Sequence, residues 1–274
     1  MIKVGYQGNH GTFSEIAALE YYKDEEIEPI GYPNFTAILK DTENGILNDA
    51  VLPVENTTTG IIARTYDLFQ KYDIHAIGEI NVPIHEDLIG LPGTDIDQIR
   101  QVYSHPEALS QCTAFFEAHP QIQTVPYQDT AKSAEYIKQQ NDPSKAALGS
   151  WRAAQYYQLA SLAESVQDSA TNMTRFLVIS HEDYEVKDAD KISMMLVLRH
   201  TPGSLYNTLG IISKRGINIL KLESRPIQGR VFEYLFYIDI TGNLAQKDIK
   251  EMLKELGPRC LEMKVFGNYR SAVH

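Results

Sequence analysis

Short apolar runs alternate with longer stretches in which apolar residues return every three or four positions, and this rhythm holds from residue 2 to about residue 180. IKVGYQG leads into TFSEIAALEYY, AVLPVEN into GIIARTYDLFQKY, and QVYSHP into EALSQCTAFFEAH; IQTVPYQD leads into TAKSAEYIKQQ and KAALGS into WRAAQYYQ. A strand-then-helix alternation of this kind predicts an α/β unit, with a parallel or mixed sheet and helices on both faces. Small polar residues stand at each handover. Thr12-Phe13-Ser14-Glu15 spells a capping box, in which the threonine hydroxyl and the glutamate satisfy free N–H groups at a helix start.

Beyond Ile179 the acid-rich SHEDYEVKDADK predicts a solvated linker, and the rhythm then changes. ISMMLVLRH reads as a strand and GSLYNTLGIISKRG as a helix stopped at Gly216. INILKLESRPI and VFEYLFYIDITG read as strands around Gln228-Gly229, NLAQKDIKEMLKELG as an amphipathic helix, and RCLEMKVFGNY as a last strand. The order βαββαβ predicts a ferredoxin-like split unit with helices on one face. The expected boundaries are residues 1–181 for the first domain, 182–192 for the linker and 193–270 for the second domain.

Charge supports the division. Met1 to Asp190 holds 12 Lys and Arg against 29 Asp and Glu, a net of −17, whereas Lys191 to His274 holds 13 against 7, a net of +6. An acidic surface repels nucleic acid and anionic lipid, and the basic residues of the second part are scattered, so neither partner is expected. The longest apolar runs are far too short to span a bilayer, and IKVGY begins a strand directly without a tripartite leader. A cytoplasmic location is the expectation. Cys112 and Cys260 lie far apart without C-x-x-C spacing and read as free buried thiols. The histidines show no metal-ligand spacing, so no metal is expected.

Open α/β sheets bind ligands beyond the carboxyl ends of their strands, where helix N-termini offer free N–H groups and partial positive charge. Neither G-x-x-x-x-G-K-[ST] nor G-x-G-x-x-G is present, and GNHG is only G-x-x-G, so a compact carboxylate is a better ligand than a nucleotide and no cofactor is implied. Glu55, Asn56 and Thr57 follow AVLPV at a strand end; their types suit helix capping as well as ligand binding. Ser104, His105 and Gln111 follow the next strand, and an isolated histidine there is more often structural than catalytic. Thr130 and Ser150 open further helices. Jointly these hydroxyls and amides converge on one cleft if the sheet is doubly wound. In SATNMTRFLVIS, Thr174 and Arg175 stand ahead of an apolar run, and Arg175 is one of only 12 cations in its unit, the local charge that a dianion would need.

GNHGTFSE, PVENTTTG, SHPEALSQC and NMTRF, in this order and spacing, resemble the prephenate dehydratases, and GSLYNTL followed by LESRP resembles the regulatory ACT domain attached to them. The resemblance runs from about residue 2 to 270. Thr57 stands where serine is usual and keeps the hydroxyl; Ser204 stands where alanine is usual. The resemblance implies a two-lobed, doubly wound catalytic domain of the periplasmic-binding-protein kind plus a ferredoxin-like ACT domain. It also implies decarboxylating dehydration of prephenate to phenylpyruvate with no cofactor. In that scheme Arg175 clamps a substrate carboxylate, N–H groups at Gly11 and Thr12, or at Gly60, hold the other, Phe176 completes the motif, and Thr174 hydrogen-bonds the leaving hydroxyl. Glu55, kept protonated by burial, would feed Thr174 its proton.

By the same resemblance, phenylalanine binds between two ACT domains of a homodimer or homotetramer. The residues implied are Gly203, Ser204, Leu205, Glu223, Ser224, Arg225 and Pro226. Two other readings share the architecture: a non-catalytic binder of small carboxylates, and a dehydratase preferring arogenate, which an acidic pocket near the substrate's amino group would favour.

Overall fold

The computed structural model describes residues 1–227, 229, 230 and 233–272. The chain opens with β1 (Ile2–Gln7), α1 (Phe13–Tyr21), β2 (Ile27–Tyr32), α2 (Phe35–Glu43), β3 (Asp49–Asn56), β4 (Gly60–Ile61), α3 (Ala63–Phe69) and β5 (His75–Pro83). Residues 84–86 then cross into a second lobe. That lobe holds β6 (Asp87–Gly90), β7 (Gln101–Ser104), α4 (Pro106–Ser110), α5 (Thr113–Ala118), β8 (Gln123–Pro126), α6 (Thr130–Gln140), β9 (Lys145–Gly149), α7 (Trp151–Tyr156) and β10 (Ala160–Ala163). Residues 164–172 return to the first lobe and deliver β11 (Met173–Ser180).

A C-terminal unit follows in the expected βαββαβ order: β12 (Lys191–Leu198), α8 (Ser204–Ser213), β13 (Ile219–Pro226), β14 (Tyr234–Thr241), α9 (Lys247–Leu256) and β15 (Cys260–Tyr269). Its first strand starts at Lys191, inside the span expected to be linker. Gln228 of the expected turn, and Val231 and Phe232 of the next expected strand, lie outside the described residues.

The fold is mixed α/β with two sheets. The second lobe carries β10-β6-β9-β7-β8, while the other sheet runs β13-β14-β12-β15-β5-β11-β3-β1-β2 with β4 beside β3. This larger sheet passes without a break from the C-terminal unit into the first lobe, where β15 meets β5 at Gly267 and Ala76. A Cβ on Gly267 would lie 2.0 Å from the Ala76 carbonyl oxygen, so the close approach requires glycine. β11 is central, antiparallel to both β3 and β5, which explains the near-continuous apolar run FLVIS. Separate apolar clusters pack on the sheets: Ile16 and Ala17 of α1 pack with Val51 and Phe176, and Leu52, Tyr66, Phe69 and Leu177 lie on the other face together with Tyr237 and Phe266 of the C-terminal unit. Another cluster, with Met194, Ile212 and Met252, seats α8 and α9 on the C-terminal strands. No helix among the described residues is long and apolar enough to cross a membrane.

Local chemistry explains most boundaries. Thr12, Asn34, Asp129 and Ser150 each accept a backbone N–H three residues on and so start α1, α2, α6 and α7. The capping box is only half realised: Thr12 accepts from Glu15 N, but the Glu15 carboxylate turns to Gly11 N at 2.8 Å rather than to the cap residue's own amide. EALSQCTAFFEAH forms two short helices rather than one, broken at Gln111-Cys112, and Gly60–Ile61 pairs with β3 instead of joining a helix.

Candidate active site

Thr174 pairs with Asn56 of β3 and Val82 of β5, and Arg175 pairs with Glu55 and Asn81. Successive side chains of a strand leave on opposite faces. Thr174 and Asn56 therefore face a cleft of about 390 Å3 at the seam of the two lobes. Arg175 and Glu55 face the junction with the C-terminal unit. The single cleft expected to gather all four residues is divided by the sheet itself.

On the cleft side, Asn56 is the organiser. Its Nδ2 lies 2.9 Å from Thr174 Oγ1, 2.8 Å from Asn172 Oδ1 and 3.1 Å from the Met173 carbonyl; its Oδ1 accepts from the amides of Thr58 and Thr59 at 2.9 and 3.0 Å. Asn172, part of the NMTRF motif but without a sequence signal of its own, donates in turn to Gln111 Oε1 at 2.9 Å. Because the Thr174 oxygen accepts from Asn56, its own O–H is free to donate toward a ligand. Thr174 is 7% exposed, so that donor is held with little water around it.

On the opposite face, Arg175 reaches Asp239 Oδ2 at 2.9 Å, Glu55 Oε2 at 2.9 Å, Glu79 Oε2 at 3.2 Å and the Tyr66 hydroxyl at 3.1 Å. Lys191 holds both oxygens of Glu79 at 3.0 and 2.8 Å, and Lys221 approaches Glu55 at 3.1 Å. Three cations thus meet three carboxylates across two units, since Asp239, Lys191 and Lys221 belong to the C-terminal one. Burial opposes the charge on Arg175, but Tyr66, Asp239, Tyr269 and Glu79 together outweigh it and hold the guanidinium protonated. The expected carboxylate clamp at Arg175 and proton feeder at Glu55 are corrected accordingly: neither side chain lines the cleft, and both are consumed by this network.

Of the other residues singled out from sequence, His105, Gln111, Thr130 and Phe176 line the cleft with Asn56 and Thr174. His105 also caps α4, its Nδ1 accepting from Glu107 N at 3.2 Å. Ser104 is fully buried and donates to the Leu148 carbonyl at 3.0 Å, tying β7 to β9. Thr57 clips the end of β11, donating to the Thr171 carbonyl and accepting from Met173 N. Gly11 and Ser150 form an interlobe clasp beside the cleft, and Thr12, next to Gly11, caps α1. Ser150 Oγ donates to the Gly11 carbonyl at 2.5 Å, and Arg152 Nε donates to Glu15 Oε2 at 2.8 Å. Gly11 has φ +93° and a Cβ there would sit 2.6 Å from Ala153 Cα, so this contact between lobes tolerates only glycine.

One carboxyl that sequence reasoning missed also lines the cleft. Glu86, on the crossover between β5 and β6, is 3% exposed, and burial followed by the neighbouring Asp87 pushes its pKa up to about 8.

In the C-terminal unit Gly203, at φ +81°, starts α8, and Ser204 and Leu205 line a cavity of about 410 Å3 with Tyr234 and Phe236. Glu223 to Pro226 end the edge strand β13, with Glu223 half-buried and Ser224 exposed. Arg225 and Pro226 line a different cavity, where Arg225 approaches Asp67 of α3 at 3.7 Å. Within one protomer the two groups do not share a cavity.

Residues 4–184 match the family model for prephenate dehydratase. The chain is 34% identical over 274 residues to the bifunctional chorismate mutase/prephenate dehydratase of Stutzerimonas stutzeri, an alignment covering 99% of this chain and 74% of that protein. It is 33% identical to arogenate dehydratase/prephenate dehydratase 1 of Arabidopsis thaliana, covering 98% of this chain and 72% of that one. The crystal structure of prephenate dehydratase from Arthrobacter aurescens in complex with L-Phe superposes with a TM-score of 0.88 at 28% identity, covering 98% of this chain and 90% of the other. With its cleft threonine, its two sheets and these relatives in agreement, the chain belongs to the prephenate dehydratase family.

Proposed function

We propose that this chain converts prephenate to phenylpyruvate, carbon dioxide and water in phenylalanine biosynthesis. The observation that carries this reading is the Thr174 hydroxyl, fixed by Asn56 in an interlobe cleft with its proton free to donate. Elimination breaks the bond to the ring hydroxyl and the bond to the ring carboxylate, and the electron pair left behind completes an aromatic ring. Aromatisation supplies the driving force, so the protein's work is to position the substrate and stabilise charge on the departing oxygen. A Thr174 hydrogen bond that strengthens as that charge grows meets the requirement.

With Arg175 on the other face, no lysine or arginine lines the cleft among the described residues. The substrate carboxylates are then held by backbone donors. α1 and α6 both begin at the cleft wall, at Phe13 and Thr130, and the first amides of a helix have no partner within it. Thr12 and Asp129 satisfy only one amide each, those of Glu15 and Lys132.

The reading extends to the C-terminal unit as an ACT-type regulatory domain. Its βαββαβ order and the L-Phe complex of the Arthrobacter relative support phenylalanine as effector. Gly203 to Leu205 and Glu223 to Pro226, which share no cavity within one protomer, would form one site where two protomers meet. Incubating the purified protein with prephenate, and separately with arogenate, and following product absorbance with and without phenylalanine tests all parts. Turnover of neither substrate would overturn the reading.

A further inference from the structure

Glu86 has no structural employment for its acid group. Its backbone is clamped between the two interlobe crossovers: its N–H donates to Gln167 Oε1 at 3.0 Å and its carbonyl accepts from Val166 N at 2.8 Å. Beside it Ile84 N donates to the Asn172 carbonyl at 2.9 Å, so Glu86 and the Asn172-to-Thr174 segment run along the same seam. The side chain lines the cleft that Thr174 lines, yet its buried Oε2 has no hydrogen-bond partner among the described residues. A buried polar group without a partner costs stability, which makes the position a poor choice for packing alone.

The surroundings keep it uncharged. Asp87 follows it on β6, engaged by Ser161 and Ser165, and His85 precedes it, engaged by Gln167. The thiol of Cys112 lies near enough to feel it, along with Asp168, and His105, Glu107 and Asp129 face the same cleft from α4 and the start of α6. With no lysine or arginine on the cleft wall among the described residues, a dianionic substrate adds negative charge and further favours the neutral acid.

We propose that Glu86 is the catalytic acid of this enzyme, its carboxyl O–H protonating the departing ring hydroxyl while Thr174 hydrogen-bonds and orients that oxygen. This rests on the dehydratase reading above. The C–O bond breaks and the oxygen leaves as water with the Glu86 proton. The C–C bond to the ring carboxylate breaks to release carbon dioxide, its electron pair closes the aromatic ring, and the Glu86 carboxylate is reprotonated from solvent before the next turnover. Thr174, a very weak acid, then never has to surrender its own proton.

The test is kcat and KM for prephenate in wild type and Glu86→Gln between about pH 6 and pH 9.5, with circular dichroism to confirm folding. General acids of this kind contribute about 100-fold or more, so the variant is expected to lose at least that in kcat with KM little changed. Wild-type kcat/KM, which reports the free enzyme, is expected to fall about tenfold per pH unit above the Glu86 pKa, and the variant's residual kcat/KM to be flat there. Equal kcat in both proteins, or a wild-type kcat/KM level to about pH 9.5, overturns the proposal; the second outcome needs no variant, so it decides the matter even if Glu86→Gln fails to fold. A wild type inert toward prephenate overturns the dehydratase reading instead.

Discussion

Thr174 and Arg175 are consecutive in the chain and stand on opposite faces of the same central strand, one aimed into the interlobe cleft and the other into the junction with the C-terminal unit. A single short segment therefore touches both the candidate chemistry and the candidate regulatory unit. Any shift of β14 that moves Asp239 pulls on Arg175, and Thr174 is the next residue along the same backbone.

Thr174→Ala removes the cleft donor while leaving the strand pairings intact. The expected result is a loss of about 100-fold or more in kcat for prephenate, with KM and melting temperature close to wild type. Thr174→Ser, which keeps the hydroxyl, is expected to recover most of the rate. Steady-state kinetics on the two variants checks this, and an alanine variant with full kcat would remove Thr174 from the mechanism.

Arg175→Met tests the junction. It strips a buried cation from Glu79 and Asp239, each only 3% exposed at the side chain, and breaking a buried pair in this way costs about 3–5 kcal/mol. Chemical denaturation should show that loss while KM for prephenate stays near the wild-type value, because the guanidinium does not line the cleft. A large rise in KM with unchanged stability would return Arg175 to substrate binding.

The strand-helix rhythm, the caps at Thr12 and Ser150, and the βαββαβ order were all legible because each depends on residues within a few positions of one another. The division of Thr174-Arg175 was legible in principle. It follows from period-two alternation once the strand is started at Met173 rather than at the apolar run Phe176–Ile179. β2 and α2 went unassigned, and the half-exposed IEPIGY interrupted by proline and glycine gives little periodic signal. Glu86, Glu79 and Asp239 carry no local mark of burial. Their environments come from contacts with segments 46 or more residues away, such as the pairing of Glu86 with Val166, and only tertiary packing decides whether such a carboxylate is solvated or enclosed.

The interlobe clasp should be acid-sensitive. Burial alone would raise the Glu15 pKa, but the hydrogen bonds from Arg152, Gly11 and His10 outweigh it and hold it below the ordinary 4.5. A carboxyl lowered in the folded state adds stability above its ordinary pKa and loses it as pH falls through the folded value. Arg152→Ala, or acidification well below pH 4.5, is therefore expected to speed hydrogen exchange at residues 10–15 and 150–153 before the β11 core responds. Protection unchanged at both segments would show that the two lobes are held elsewhere.

Glu86 gives the opposite sign. Its folded pKa is raised from 4.5 to about 8, so the folded state binds the proton more tightly than the unfolded state throughout that window. Stability from this group is full below the ordinary value and declines as pH rises, by about 1.4 kcal/mol per pH unit at most, until the folded carboxyl itself ionises. Glutamine does not titrate. The stability of Glu86→Gln relative to wild type is therefore expected to improve by a few kcal/mol between about pH 5 and about pH 8, measured by urea denaturation at fixed ionic strength. This readout involves no substrate, and so separates the protonation state of the carboxyl from its part in catalysis. A stability difference independent of pH would mean that Glu86 ionises normally and arrives at neutral pH without a proton to give.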